Sequence, residues 1–192
     1  MNAALEAYLT QLLSIRQDLP GLAGPLDHRQ FNWTPAPGRW SVGQCVEHLN
    51  ITMERYVPVL EQAISTARAK GLVSPGPFAL GLMERWFMRS LEPPVKYRVR
   101  TRKAFVPAPD LPPAATVARF SALQAAFDAC IRQADGLDLR TVKVKSQFGP
   151  LSWSLNGTFA ILLAHERRHI WQARQVRNDR GFPSGQSGAG SS

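Results

Sequence analysis

Over residues 156–178 the chain reads NGTFAILLAHERRHIWQARQVRN. Leu162, His165, His169, Ala173 and Val176 recur three or four residues apart, the spacing that lines one face of an α-helix. The pattern predicts a helix from about Leu155 to Asn178, with Gly181 and Pro183 as its stop signal. Both histidines lie on its apolar face, so the pair points inward rather than to solvent.

Working outward, three more long helical patterns appear. The first covers about Ala3 to Asp18, with Leu5, Tyr8, Leu9, Leu12 and Ile15 on one side, and the region Pro20 to Pro25 breaks it. The second opens at Ser41, which forms a capping box with Gln44, while Trp40 and Cys45 occupy the positions of a hydrophobic staple. Its apolar side reads Cys45, Leu49, Thr52, Tyr56, Val59, Leu60 and Ala63. Pro58 inside this pattern predicts a kink or an early end. The third takes in Val117, Phe120, Leu123, Phe127, Ile131 and Ala134 and stops near Gly136. A shorter amphipathic piece, with Leu82, Met83, Trp86 and Phe87 on one side, precedes a long proline-bracketed connection. There Val95, Tyr97 and Val99 alternate with Lys96, Arg98 and Arg100, which predicts an extended segment over the bundle. The expected fold is all-α: a four-helix bundle with a long crossover connection and a short extra helix. The expected domain is residues 1–180, and the Gly/Ser-rich stretch 181–192 reads as a flexible tail.

Composition narrows the setting. The 192 residues fit one domain, and the apolar fraction of 44% is ordinary for a globular protein. No apolar run approaches the roughly 20 residues that span a bilayer, and the opening residues form a helix pattern rather than a signal peptide. The two cysteines, Cys45 and Cys130, make no disulfide framework. A cytoplasmic setting is expected. Lysine and arginine outnumber aspartate and glutamate by 23 to 14, a net charge of +9. Lys96, Arg98, Arg100, Arg102 and Lys103 concentrate part of it. Only Tyr97 and Phe105 are aromatic near that run, so specific nucleic-acid binding is not expected, and the excess reads as a solvated basic surface.

The chemistry lies in the histidines. His165 and His169 stack on one helix face with Cβ atoms about 5–6 Å apart, so both rings can converge on one ion. His48 sits on the buried stripe of the second helix; alone it would more readily be a hydrogen-bonded core residue than a ligand. The loop residue His28 has no helical partner. Cys45, one turn before His48, could approach an ion there. The string His165 to His169 also matches the HExxH pattern, with Glu166 as the catalytic base of a metalloprotease. Against that reading, no histidine or glutamate follows His169, and Asp179 is the one acid beyond it.

Two segments resemble the DinB-like family, which includes YfiT-type metal-dependent hydrolases: NWTPAPGRWSVGQCVEHLNITMERY at residues 32–56, and the stretch at 156–178 with its trailing Gln172. The intervening KAFVPAP and KVKSQFGPLSWSL resemble members of the family's large second subgroup. The resemblance spans nearly all of residues 1–180. It implies a four-helix bundle with a long crossover, and one divalent metal ion, zinc or nickel, held by His48, His165 and His169. It also implies a small-molecule enzyme. One expectation is a hydrolase in which Glu166 is the nearest candidate acid/base. The other is a transferase that takes a low-molecular-weight thiol as cosubstrate. A non-catalytic metal- or nucleic-acid-binding protein remains the alternative, and a homodimer is left open.

Overall fold

The computed structural model describes residues 1–95 and 100–185. Helices α1 (Ala3–Ala23), α3 (Val42–Ala69), α5 (Pro113–Gln133) and α6 (Leu155–Arg177) form the bundle; α3 packs on α5 and α6, and α1 packs on the same two. Two short helices, α2 (His28–Asn32) and α4 (Leu82–Leu91), a 3-10 turn at Lys103–Phe105 and a two-stranded hairpin complete it. No helix among the described residues is long and apolar enough to cross a membrane.

The core follows from the apolar stripes. Leu5, Leu12, Ile15 and Leu19 of α1 meet Phe120 and Phe127 of α5 and Phe159 and Leu162 of α6 in one cluster. Phe159 meets Tyr8 edge to face and Phe127 at a tilt, with centroids 6.1 and 5.9 Å away. Tyr8 keeps its hydroxyl satisfied by donating to Asn156 Oδ1 at 2.8 Å, which a buried phenol requires.

Several elements depart from expectation. Helix α1 continues through Pro20 to Ala23, where Gly24 N–H closes on the Pro20 carbonyl. Helix α3 likewise runs unbroken across Pro58, an exposed residue whose ring faces away from the core. Packing of the apolar face outweighs one lost main-chain hydrogen bond. The supposed loop around His28 is helix α2, started by a capping box between Asp27 and Gln30. The linker before α6 holds strands β1 (Lys143–Lys145) and β2 (Ser152–Ser154), antiparallel with Val144 opposite Trp153. In α4 much of the apolar side faces outward: Leu82, Met83 and Trp86 are 80%, 61% and 69% exposed. Glu84 sets that rotation, because its carboxylate accepts from Ser154 N–H and Gly81 N–H, while Phe87 stacks on Trp153 at 5.4 Å. The alternating segment expected at Val95 to Arg100 falls mostly on residues 96–99, outside the described residues. Of the expected tail, Phe182 packs on Trp33 at 5.6 Å, and the Pro183 and Ser184 carbonyls accept from Gln30 and Arg29.

Glu84 also dictates a glycine. A Cβ on Gly157 would sit 2.4 Å from the Glu84 carboxyl carbon, so α4 approaches α6 where no side chain stands. Alanine normally stabilises a helix interior over glycine by about 1 kcal/mol. Here Gly157→Ala is expected to destabilise by about 1–3 kcal/mol through overpacking, read as a thermal midpoint lowered by several degrees. A raised midpoint would show that Glu84 is not tightly held.

Candidate metal centre

The capping box at Ser41 and Gln44 starts α3 so that His48 faces α6. His165 and His169, one turn apart on α6, meet it. All three are buried, at 4%, 6% and 7% exposure. One ring nitrogen from each falls within 4.8 Å of the others. His48 Nε2 stands 3.1 Å from His165 Nε2. The His169 centroid is 4.4 Å from that of His48 and 4.6 Å from that of His165.

Hydrogen bonding fixes one tautomer. The Phe105 carbonyl lies 2.8 Å from His48 Nδ1. A carbonyl only accepts, so Nδ1 carries the proton, and the neutral ring presents a bare Nε2 to His165. His165 then has two choices. Either its Nε2–H donates to His48, leaving a buried, unpartnered Nδ1 lone pair, or Nδ1 is protonated without an acceptor and two lone pairs face each other. Nδ1 of His165 and of His169 are both buried without a hydrogen-bond partner. A cation resolves the second arrangement. Two nitrogens about 2.0–2.1 Å from one zinc ion at a tetrahedral angle lie roughly 3.3 Å apart, close to the observed 3.1 Å. The donor set fits a divalent ion.

Electrostatics favours the ligand form. Burial pushes His48 down to about 4, against the opposing hydrogen bond to Phe105. Burial first, then the neighbouring histidines and Arg168, holds His165 and His169 well below the usual range. A side-chain hydrogen bond to Gln172 opposes the shift of His169. Neutral imidazole is the form that coordinates a metal.

Three aromatic rings wall the cluster. Trp40 lies 4.9 Å from the His48 ring and stacks on His169 at 5.7 Å, so the residue assigned to a staple with Cys45 covers the histidines. Phe105, from the crossover, is 6.3 Å from His48. Phe148, from the hairpin loop, is 5.2 Å from His165. The Tyr56 hydroxyl anchors that loop by accepting from Gln147 N–H at 3.0 Å.

Other candidates lie elsewhere. The Glu166 carboxyl turns to α5, where it accepts from Gln124 Nε2, and is not a member of the histidine cluster. Glu166 Oε2 and Gln124 Oε1 both lack a partner, and burial pushes the carboxyl up to about 8. The acid form removes the charge that burial penalises. Cys45 is fully buried, its thiol pushed far up by desolvation, and it is outside the cluster. His28 is exposed and faces Asp110 at 3.2 Å.

A four-helix bundle whose facing helices bury a three-histidine cluster defines a class, the bundles that can hold one metal ion between helices. The model of the DinB superfamily matches residues 11–173. The chain belongs to the DinB superfamily. Among solved structures it is similar to YfiT from Bacillus subtilis, described as a probable metal-dependent hydrolase with an unusual four-helix bundle topology. That match has 13% identity and a TM-score of 0.58, and covers 90% of this chain and 85% of the other. No curated protein matches the chain by sequence.

Proposed function

We propose that this chain is a metal-dependent enzyme acting on a small molecule, with one divalent ion, zinc or nickel, held by His48, His165 and His169. The observation that carries this reading is the 3.1 Å approach of the His48 and His165 Nε2 atoms, with His48 locked in the tautomer that leaves Nε2 bare. Three protein ligands leave a position open for water or substrate, as catalytic sites do and structural sites do not. When bound, the ion supplies Lewis-acid polarisation and lowers the pKa of a water or thiol that it holds. The chain's own part is to keep three imidazoles neutral and to wall them with Trp40, Phe105 and Phe148, which exclude bulk water.

Hydrolysis is the reading that the description of YfiT supports. One observation favours a second reading, transfer to a low-molecular-weight thiol. Glu166 is held by Gln124, so hydrolysis loses its nearest candidate base, whereas a coordinated thiol is deprotonated without one. A panel of small electrophiles, esters and amides separates the two: turnover that requires added thiol supports transfer, and turnover without thiol supports hydrolysis.

Metal content of untagged protein tests the shared premise. The wild type should carry about one equivalent of a divalent ion, and His48→Ala and His165→Ala should carry none while remaining helical. A folded wild type that is metal-free and takes up neither zinc nor nickel overturns the proposal.

A further inference from the structure

The Phe105 carbonyl that fixes His48 belongs to the crossover, not to a bundle helix, so something must hold that turn in place. Its internal hydrogen bonds, from Phe105 N–H to the Arg102 carbonyl and from Val106 N–H to that of Lys103, shape the turn but do not attach it. Arg55 does. It stands seven residues beyond His48 on α3, two turns along, on the same side of the helix. Its Nη2 donates to the Ala104 carbonyl at 3.1 Å, and its guanidinium carbon lies 4.9 Å from the centre of the Phe105 ring. One planar group thus grips two consecutive residues, one through an N–H and the next through its flat face. Lysine cannot reproduce that pair of contacts with a point charge.

We propose that Arg55 is a positioning residue for the histidine cluster: it docks the Lys103–Phe105 turn on α3 and so aims the Phe105 carbonyl at His48 Nδ1. The line of contact runs from the guanidinium through Ala104 and Phe105 to His48 Nδ1, and across the ring to the Nε2 that faces His165 at 3.1 Å. Outer partners of this kind orient metal-binding imidazoles, and losing one commonly weakens metal binding about 10–100-fold. The inference rests on the metal-binding reading above. Its sign sets it apart from simple electrostatics. Arg55 is a cation near a site for a dication, so removing its charge alone should tighten metal binding; removing a positioning contact should loosen it.

The test compares wild type, Arg55→Ala and Arg55→Lys as full-length chains. Zinc affinity is measured by chelator competition, and the His48 tautomer of the metal-free protein by long-range nitrogen–proton NMR. Arg55 is exposed, so both variants should fold, and thermal midpoints check that they do. Arg55→Ala is expected to weaken zinc binding about ten-fold and to shift His48 from pure Nδ1–H towards a mixture of tautomers. Arg55→Lys should fall between, because it keeps the charge and one donor but loses the stacked plane. Unchanged or tighter zinc binding in Arg55→Ala would overturn the proposal, as would weaker binding with the tautomer unmoved. A wild type that binds neither zinc nor nickel would remove the metal reading instead, and the tautomer comparison alone would then decide whether Arg55 controls His48.

Discussion

Metal retention by the wild-type chain is expected to persist at pH 5, where an ordinary three-histidine site fails. An imidazole that titrates near 6.5 is about 97% protonated at pH 5, so each such ligand loses about thirty-fold in availability. The three histidines here are buried and held below that value, His48 at about 4. A group whose pKa is lowered in the folded protein stays neutral until the pH falls through the lowered value, so the proton competes late. The window of resistance therefore runs from about 6.5 down towards 4. Measuring zinc affinity at pH 7 and at pH 5, with the chelator's own protonation accounted for, checks this. Affinity that collapses from pH 6.5 downwards would mean that the rings are solvated and that the Trp40, Phe105 and Phe148 wall does not close.

Glu166→Gln should make the metal-free protein more stable than wild type above neutral pH, and no different near pH 4.5. The Glu166 carboxyl titrates at about 8 in the fold, above its value in an unfolded chain. A carboxyl with a raised folded pKa gives stability that is whole below the unfolded value and declines as the pH rises to the folded one. Wild type should lose up to a few kcal/mol between about pH 4.5 and 8 from this group, while a glutamine, neutral throughout, loses none. Glutamine also keeps an oxygen to accept from Gln124 Nε2. Urea unfolding of both proteins at pH 5 and pH 8 supplies the comparison. Equal differences at the two pH values would show Glu166 to be ionised, and would restore it as a candidate base.

Much of this was legible in the sequence, for local reasons. His165 and His169 follow from helical spacing alone, and the cap at Ser41 fixes the phase that turns His48 inward. The four long helices read correctly because each carries an apolar stripe over many turns. What escaped depends on contacts between distant segments. No local signal tells that Phe105 lends its carbonyl to a histidine 57 positions earlier. Trp40 looked like half of a staple, since nothing in its neighbourhood reveals His169. The rotation of α4 is set by Glu84 reaching Ser154, 70 residues away, a contact that its apolar side alone does not reveal. Glu166 matched a short motif, but its direction is decided by Gln124 on another helix.

The histidines ride on two long helices whose relative placement is set by the whole core, whereas much of the surrounding wall comes from connections: Trp40 before a cap, Phe105 on the crossover, Phe148 in a hairpin loop. Loops accept substitution and changes of length far more readily than core helices do. On the metal-binding reading, a lineage built on this plan can exchange the Trp40 and Phe148 parts of the wall with less effect on the three ring nitrogens than a change at Phe105, whose carbonyl also holds His48. Any reactivity of the ion would then be inherited with the bundle and the turn at Phe105, while selectivity would drift with the remaining loops.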